Sequence, residues 1–345
     1  MMSANNKCKE GMNMSYSRMI PLGVAGTIFL TACSQSPQPE SRFEELSALY
    51  SKANVIGTPR LVDCKLSGGT ETKCFSVTTG PAPSNHKTGP YCPRNISDSA
   101  KQAGTWFVNE KVYDVDGKFI EQLAVIYDDD QWQMYDLETG QVTLVDGELG
   151  CEVAGDPTSA ADYVNYCVEC DVKYLGSEAN QTYVFPVDPV LAQGEPKRIG
   201  PHTGIGLAFN GVKLDAPAPL DMILSSHTLG LFDACAGHVN PGTGYHYHGL
   251  VGCEPEKASA LAGHEPRVAV AMDGFDIYAK VENPETAKLD TCGGHEIDGL
   301  GYHYHAEKAG TNQFIACFKG ESGCTLSDAN ASCDASLNTG RRRRR

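Results

Sequence analysis

The chain has 345 residues, 41% hydrophobic and 21% charged, enough to bury one large core or two modest ones. Aromatics at 8% and 36 glycines exclude a disordered or fibrous chain. The formal charge is −15; with three basic residues and one acidic before Cys33 and five arginines at 341–345, residues 33–340 carry −22. A body this acidic repels phosphates, which excludes a nucleic-acid partner. The longest apolar run, Ile20 to Ala32, covers 13 residues, short of the roughly 20 that a membrane span requires.

In chain order the first element is an export signal. Arg18 precedes the apolar stretch Ile20 to Leu30, and Leu30-Thr31-Ala32-Cys33 sets small residues before a cysteine. That arrangement resembles the bacterial lipobox. The resemblance implies that residues 1–32 are a signal peptide, cleaved before Cys33, and that the Cys33 thiol is acylated. Each buried acyl methylene contributes about 0.8 kcal/mol, so the chain is expected to be anchored to the membrane without spanning it. Ser34 in place of Asp implies, by the same resemblance, the outer membrane of a bacterial cell envelope. Residues 33–55 read as the lipidated cysteine and a flexible tether, opened by the polar, proline-containing Ser34 to Glu40. Within it a short helix is predicted where Phe43, Leu46 and Tyr50 fall at helical spacing behind a Ser41 cap.

Residues 56–200 read as an N-terminal β-rich region. Thr105 to Val108, Lys111 to Tyr113 and Leu123 to Tyr127 are short runs of β-formers, separated by turn signals such as Asp116-Gly117 and Asp128 to Asp130. Asp114-Val-Asp116-Gly117 has the opening of a calcium loop but none of the remaining ligands, and reads as a hairpin turn. Beyond Cys8 and Cys33 the chain has twelve cysteines, an even number that suits disulfides in an oxidising compartment. Cys167-Val-Glu-Cys170 has redox-motif spacing without the surrounding βαβ pattern, so these two are assigned a structural role. Residues 326–345, ending in Arg341 to Arg345, read as a flexible tail.

Residues 201–325 contain an internal duplication. Asp233-x-Cys235-x-Gly237-His238 and Gly244-Tyr245-His246-Tyr247-His248 recur as Asp290-x-Cys292-x-Gly294-His295 and Gly301-Tyr302-His303-Tyr304-His305, every residue displaced by 57. A fainter echo precedes each copy, Leu207 to Val212 and Val270 to Phe275. Cys253 and Cys317 follow the copies, able to close loops with Cys235 and Cys292. On a strand, alternate side chains share a face, so His246 and His248 point one way and Tyr245 and Tyr247 the other. With His238 across a turn, the candidate metal set is His238, His246 and His248, duplicated as His295, His303 and His305. Three imidazoles with an open fourth position suit zinc or copper. Asp233 and Asp290 either orient an imidazole or cap a turn. His86, His202, His227 and His264 lie outside the repeat and are assigned no role. The fold class expected is mainly β: a disulfide-containing domain with an internally duplicated C-terminal half and a short N-terminal helix.

These residues, with Val270-Ala-Met-Asp273-Gly274-Phe275-Asp-Ile-Tyr278 between the copies, resemble the YHYH-domain proteins over about Gly204 to Gly320. Asp276-Ile-Tyr278-Ala279 stands where such proteins often have Pro-Ile-Tyr-Gly. The resemblance implies an exported fold unit and no particular activity. Three functions compete: a membrane-anchored module binding a transition-metal ion, a metal-dependent enzyme with Asp273 or Tyr278 as acid–base groups, and a metal-free structural protein with an unidentified protein partner. The paired histidine sets and the cation-attracting acidic body favour the first.

Overall fold

In the computed structural model of the chain, residues 39–155, 165–200 and 204–338 are described. The export signal, Cys33 and the start of the tether, His202, and Arg341 to Arg345 lie outside them. The protein is mainly β, and its largest unit is an eight-stranded sheet. From edge to edge the strands are Gly237–Asn240, Gly244–Tyr247, Lys213–Leu214, Gly206–Ala208, Arg267–Ala271, Asp276–Tyr278, Gly301–His305 and Gly294–Ile297. The order is the same in kind from either edge. Each outer pair is an antiparallel hairpin with matching register, His238 opposite His246 and His295 opposite His303. Each hairpin then joins the inner strands in parallel, Leu214 opposite Tyr247 and Ile277 opposite Tyr304. The two sets meet at one antiparallel pair, with Leu207 opposite Val270.

A second, four-stranded antiparallel sheet runs Arg60–Lys65, Glu71–Thr79, Gln181–Pro186, Cys324–Leu326. It draws strands from both the N-terminal region and the end of the chain. One continuous apolar core extends from Leu46 to Phe318, so residues 56–200 and 201–325 do not have separate cores. The segment expected as a tail also contributes: Cys333 and Ala335 are buried beside Val184, and Cys333 is bonded to Cys324.

The helix Pro39–Leu49 forms where helical spacing placed it, but it begins before Ser41, which is therefore inside the helix and not its cap. Leu46 and Tyr50 are buried, and the Tyr50 hydroxyl donates to the Leu207 carbonyl at 2.7 Å. Arg42 and Arg267 interleave with Glu45 and Asp276 in a chain of ion pairs at 2.7–3.3 Å. From Pro39 onward the expected tether is thus part of the folded body.

Two expected β features are helical. Asp116 caps the helix Gly117–Glu121, its carboxylate accepting from the Phe119 amide at 3.0 Å, and Leu123–Ile126 continues as a second short helix. Phe119, Ile120 and Leu123 bury one face at helical spacing, and that packing overrides the β preference of Val125 and Ile126. The hairpin Thr105–Val108 with Lys111–Asp114 is present, turning at Asn109 and Glu110, both with positive φ (49° and 59°).

All twelve remaining cysteines are paired: Cys64–Cys74, Cys92–Cys167, Cys151–Cys170, Cys235–Cys253, Cys292–Cys317 and Cys324–Cys333. Cys167 and Cys170 bond to different partners, which rules out a two-cysteine redox motif. No helix among the described residues is long and apolar enough to cross a membrane.

Candidate metal centres

The residues that match between the two copies build a frame before they build a site. Asp233 Oδ1 accepts from the amides of Cys235 (2.9 Å) and Gly237 (3.3 Å) and from the Tyr245 hydroxyl (2.8 Å). Asp290 does the same with Cys292, Gly294 and Tyr302. The two aspartates therefore cap the turn and hold a tyrosine across it; neither orients an imidazole. Gly237 and Gly294 lie beneath those tyrosine rings, where a Cβ would come within 2.4–2.5 Å of the ring or its hydroxyl. Gly244 and Gly301 start the inner hairpin strands at φ of +73° and +72°, a conformation that favours glycine.

With the tyrosines on one face, the histidines converge on the other. His238, His246 and His248 form one group, and His264, His295, His303 and His305 a second; within each, the ligand nitrogens lie within 4.8 Å of one another. The closest approaches are between Nε2 atoms: 3.2 Å for His238–His248, 3.1 Å for His264–His303, 3.0 Å for His295–His303 and 3.1 Å for His295–His305. The opposite ring nitrogens face carbonyls. Nδ1 of His238, His246, His295, His303 and His305 donates to the carbonyls of Gly230, Gly244, Ala287, Gly301 and Ala279 at 2.7–3.2 Å. His264 Nδ1 donates to the Glu265 carbonyl at 3.1 Å. His248 Nδ1 is buried without a hydrogen bond that meets the same geometry.

In the six histidines so bonded this pattern fixes the tautomer. A carbonyl only accepts, so Nδ1 carries the proton and Nε2 presents a lone pair. Several lone pairs then face one another at about van der Waals distance, which is favourable only with a cation or proton among them. Nitrogens 2.0–2.1 Å from a tetrahedral zinc stand about 3.3 Å apart, close to the spacing observed. Nδ1-to-carbonyl hydrogen bonds of this kind orient metal-ligating imidazoles.

Burial favours the neutral form of five of the rings. It pushes His238 down to about 3, with the neighbouring His246 adding to the effect, and His303 down to about 4. His246, His248 and His305 are lowered for the same first reason. These five rings are therefore ready at neutral pH without first losing protons.

The surroundings of the two centres differ. Asp215 Oδ2 lies 3.9 Å from His246 Nε2 and 3.0 Å from Lys213 Nζ. At the second centre Tyr278 packs its ring against His264 and His303, with centroids 4.6 and 4.7 Å away. Asp273 is not at either centre. It lies on the tyrosine face, accepting from the Tyr304 hydroxyl at 2.6 Å and the Gly320 amide at 3.0 Å. His238 also lines an apolar cleft with Tyr91, Tyr166, Ile223 and Leu231.

All six expected histidines are thus gathered into two groups; one member, His264, and one neighbour, Asp215, were missed. His264 completes the second group across 39 residues of sequence, outside both copies of the repeat, and no local spacing marks it. Asp215 stands 3.9 Å from His246 because the parallel pairing of Lys213–Leu214 with Gly244–Tyr247 brings it there. Of the other histidines, His86 packs on Tyr245 and Tyr247, and His227 pairs with Asp129 at 2.8 Å.

Residues 182–287 match the model of a family described as YHYH protein. The match includes the first histidine group and His264, and stops before His295. No curated protein and no solved structure matches the chain.

Proposed function

Taking as premise that this chain carries a YHYH domain, we propose that it is a transition-metal-binding protein of the bacterial cell envelope, holding zinc or copper in two histidine centres and anchored to the outer membrane through an acylated Cys33. The observation that carries this reading is the convergence of seven imidazoles on two points, with Nε2 atoms 3.0–3.2 Å apart at the closest contacts and, in six of the seven, Nδ1 tied to a carbonyl. Borderline, nitrogen-only donor sets of this kind suit zinc and copper. Six disulfides support an oxidising compartment, in keeping with the lipobox-like Leu30 to Cys33.

The test is thermal unfolding with and without chelation. A metal that binds only the folded chain stabilises it, by about 2.7 kcal/mol at a free concentration a hundred times the Kd. Chelator treatment is expected to lower Tm, and stoichiometric zinc or copper to restore it. An unchanged Tm, with no metal taken up on addition, overturns the reading.

A metal-dependent enzyme is the second reading, favoured by the cleft that reaches His238. There, three protein donors leave a position for water or substrate, as catalytic zinc sites do. Binding of a small anion such as azide to the cobalt-loaded first centre would support it.

A further inference from the structure

The two centres share one strand frame and differ in the group that stands against the middle histidine. In the second centre that group is an imidazole, His264 Nε2 at 3.1 Å from His303 Nε2. In the first it is a carboxylate, Asp215 Oδ2 at 3.9 Å from Nε2 of the equivalent His246. Residue 215 follows Leu214, which is paired with Tyr247, as residue 278 follows Ile277, which is paired with Tyr304. The frame therefore brings residue 215 to the first centre from the same strand position that brings Tyr278 to the second.

The Asp215 carboxylate is held in place. Oδ1 accepts from the Ala216 amide at 2.8 Å, and Oδ2 accepts from the Lys213 ammonium at 3.0 Å, in a pair only 14% and 6% exposed. Burying two charges is costly, and an apolar pair of similar size often serves stability equally well. A largely buried acid set 3.9 Å from His246, the middle histidine of the group, fits a further task.

We propose that Asp215 is the fourth donor of the first centre, which then offers three nitrogens and one oxygen against the four nitrogens of the second. This rests on the metal-binding reading above. The carboxylate oxygen has lone pairs for both Lys213 and a metal, so Lys213 orients the ligand without competing for all of it. The three nitrogens already converge and Oδ2 does not yet share their point, so coordination requires the carboxylate to advance from its 3.9 Å position beside His246. An oxygen donor makes the first centre the harder of the two, favouring divalent zinc over cuprous copper, whereas four imidazoles accept either.

The test separates the centres with His303→Ala, which leaves the first, and His246→Ala, which leaves the second. Each full-length variant is titrated with cobalt(II) as the spectroscopic probe for zinc, with and without Asp215→Asn. In the His303→Ala chain, Asp215→Asn is expected to weaken cobalt binding by at least about tenfold and to shift the visible ligand-field band. In the His246→Ala chain it should change neither. Infrared difference spectra of the otherwise unaltered chain on zinc loading supply a measurement that does not depend on the Asn variant folding: a carboxylate stretch is expected to shift, and in the His246→Ala chain to stay still. Unchanged affinity and band in the His303→Ala, Asp215→Asn chain, or no carboxylate shift on loading, overturns the assignment of Asp215 while leaving the histidine centres standing. A wild-type chain that takes up neither cobalt nor zinc overturns the metal-binding reading itself.

Discussion

His264 and His303 bring their Nε2 atoms to 3.1 Å across 39 residues of sequence, joining a loop histidine to the middle histidine of the second hairpin. Each is oriented from behind by a carbonyl, Glu265 for one and Gly301 for the other. On the proposed metal-binding reading, four protein nitrogens would close the second centre, as in structural metal sites. His264→Ala is expected to weaken metal binding there by at least about tenfold and to leave the first centre unaffected. Competitive titration against a chelator of known affinity checks this; equal loss at both centres would contradict the separate roles.

Gly237 and Gly294 precede the first histidine of each hairpin and lie under Tyr245 and Tyr302. An alanine at Gly237 would place Cβ 2.5 Å from the Tyr245 ring and 2.8 Å from the His246 carbonyl. Gly237→Ala is expected to cost about 1–3 kcal/mol of stability and to weaken metal binding at the first centre only. Denaturant unfolding of the metal-free chain, followed by metal titration, separates the two effects. An alanine variant of wild-type stability would show that the close packing under Tyr245 is not required.

Asp273 is fully buried, and burial pushes its carboxyl up to about 6. Its unfolded value is about 3.9. Between about pH 4 and pH 6 the folded chain therefore binds more protons here than the unfolded chain, so this group's contribution makes stability fall as pH rises through that window. The full effect at neutral pH is about 3 kcal/mol. Asp273→Asn is expected to flatten this part of the pH profile, measured on the metal-free chain so that metal release does not contribute. Parallel profiles for the two chains would contradict the raised value.

The disulfides differ in the loops they close. Cys92–Cys167 spans 75 residues and Cys324–Cys333 spans 9. On chain entropy alone their removal costs about 4–5 and about 2.5 kcal/mol. Paired serine substitutions, compared by urea unfolding, are expected to give that order. The reverse order would mean that native packing around Cys324 outweighs loop length.

Much of this architecture is written in local pattern. The period of two in Tyr245 to His248 separates phenol rings from imidazoles, and the turn between Asn240 and Gly244 sets His238 opposite His246. The downstream cysteines close the loops they follow, Cys235 to Cys253 and Cys292 to Cys317. What was not legible depends on tertiary packing. Leu123–Ile126 is rich in β-formers yet helical, because Asp116 caps the turn before it and Phe119 and Leu123 need a common buried face. Asp233 reads equally well as an imidazole partner or a cap until Tyr245 is seen on its oxygen. His264 has no repeat partner among the described residues, and only folding of the loop beside Tyr278 brings it to the second centre.

The central claim is that the seven histidines hold metal. The measurement is metal content by mass spectrometry of the chain from Ser34 to Gly340, matured in the periplasm and dialysed against a weak chelator, beside its His246→Ala, His303→Ala double variant. The account predicts about two equivalents of zinc or copper in the first and none in the second, at similar secondary-structure content. No metal in either chain, with both folded, would contradict it.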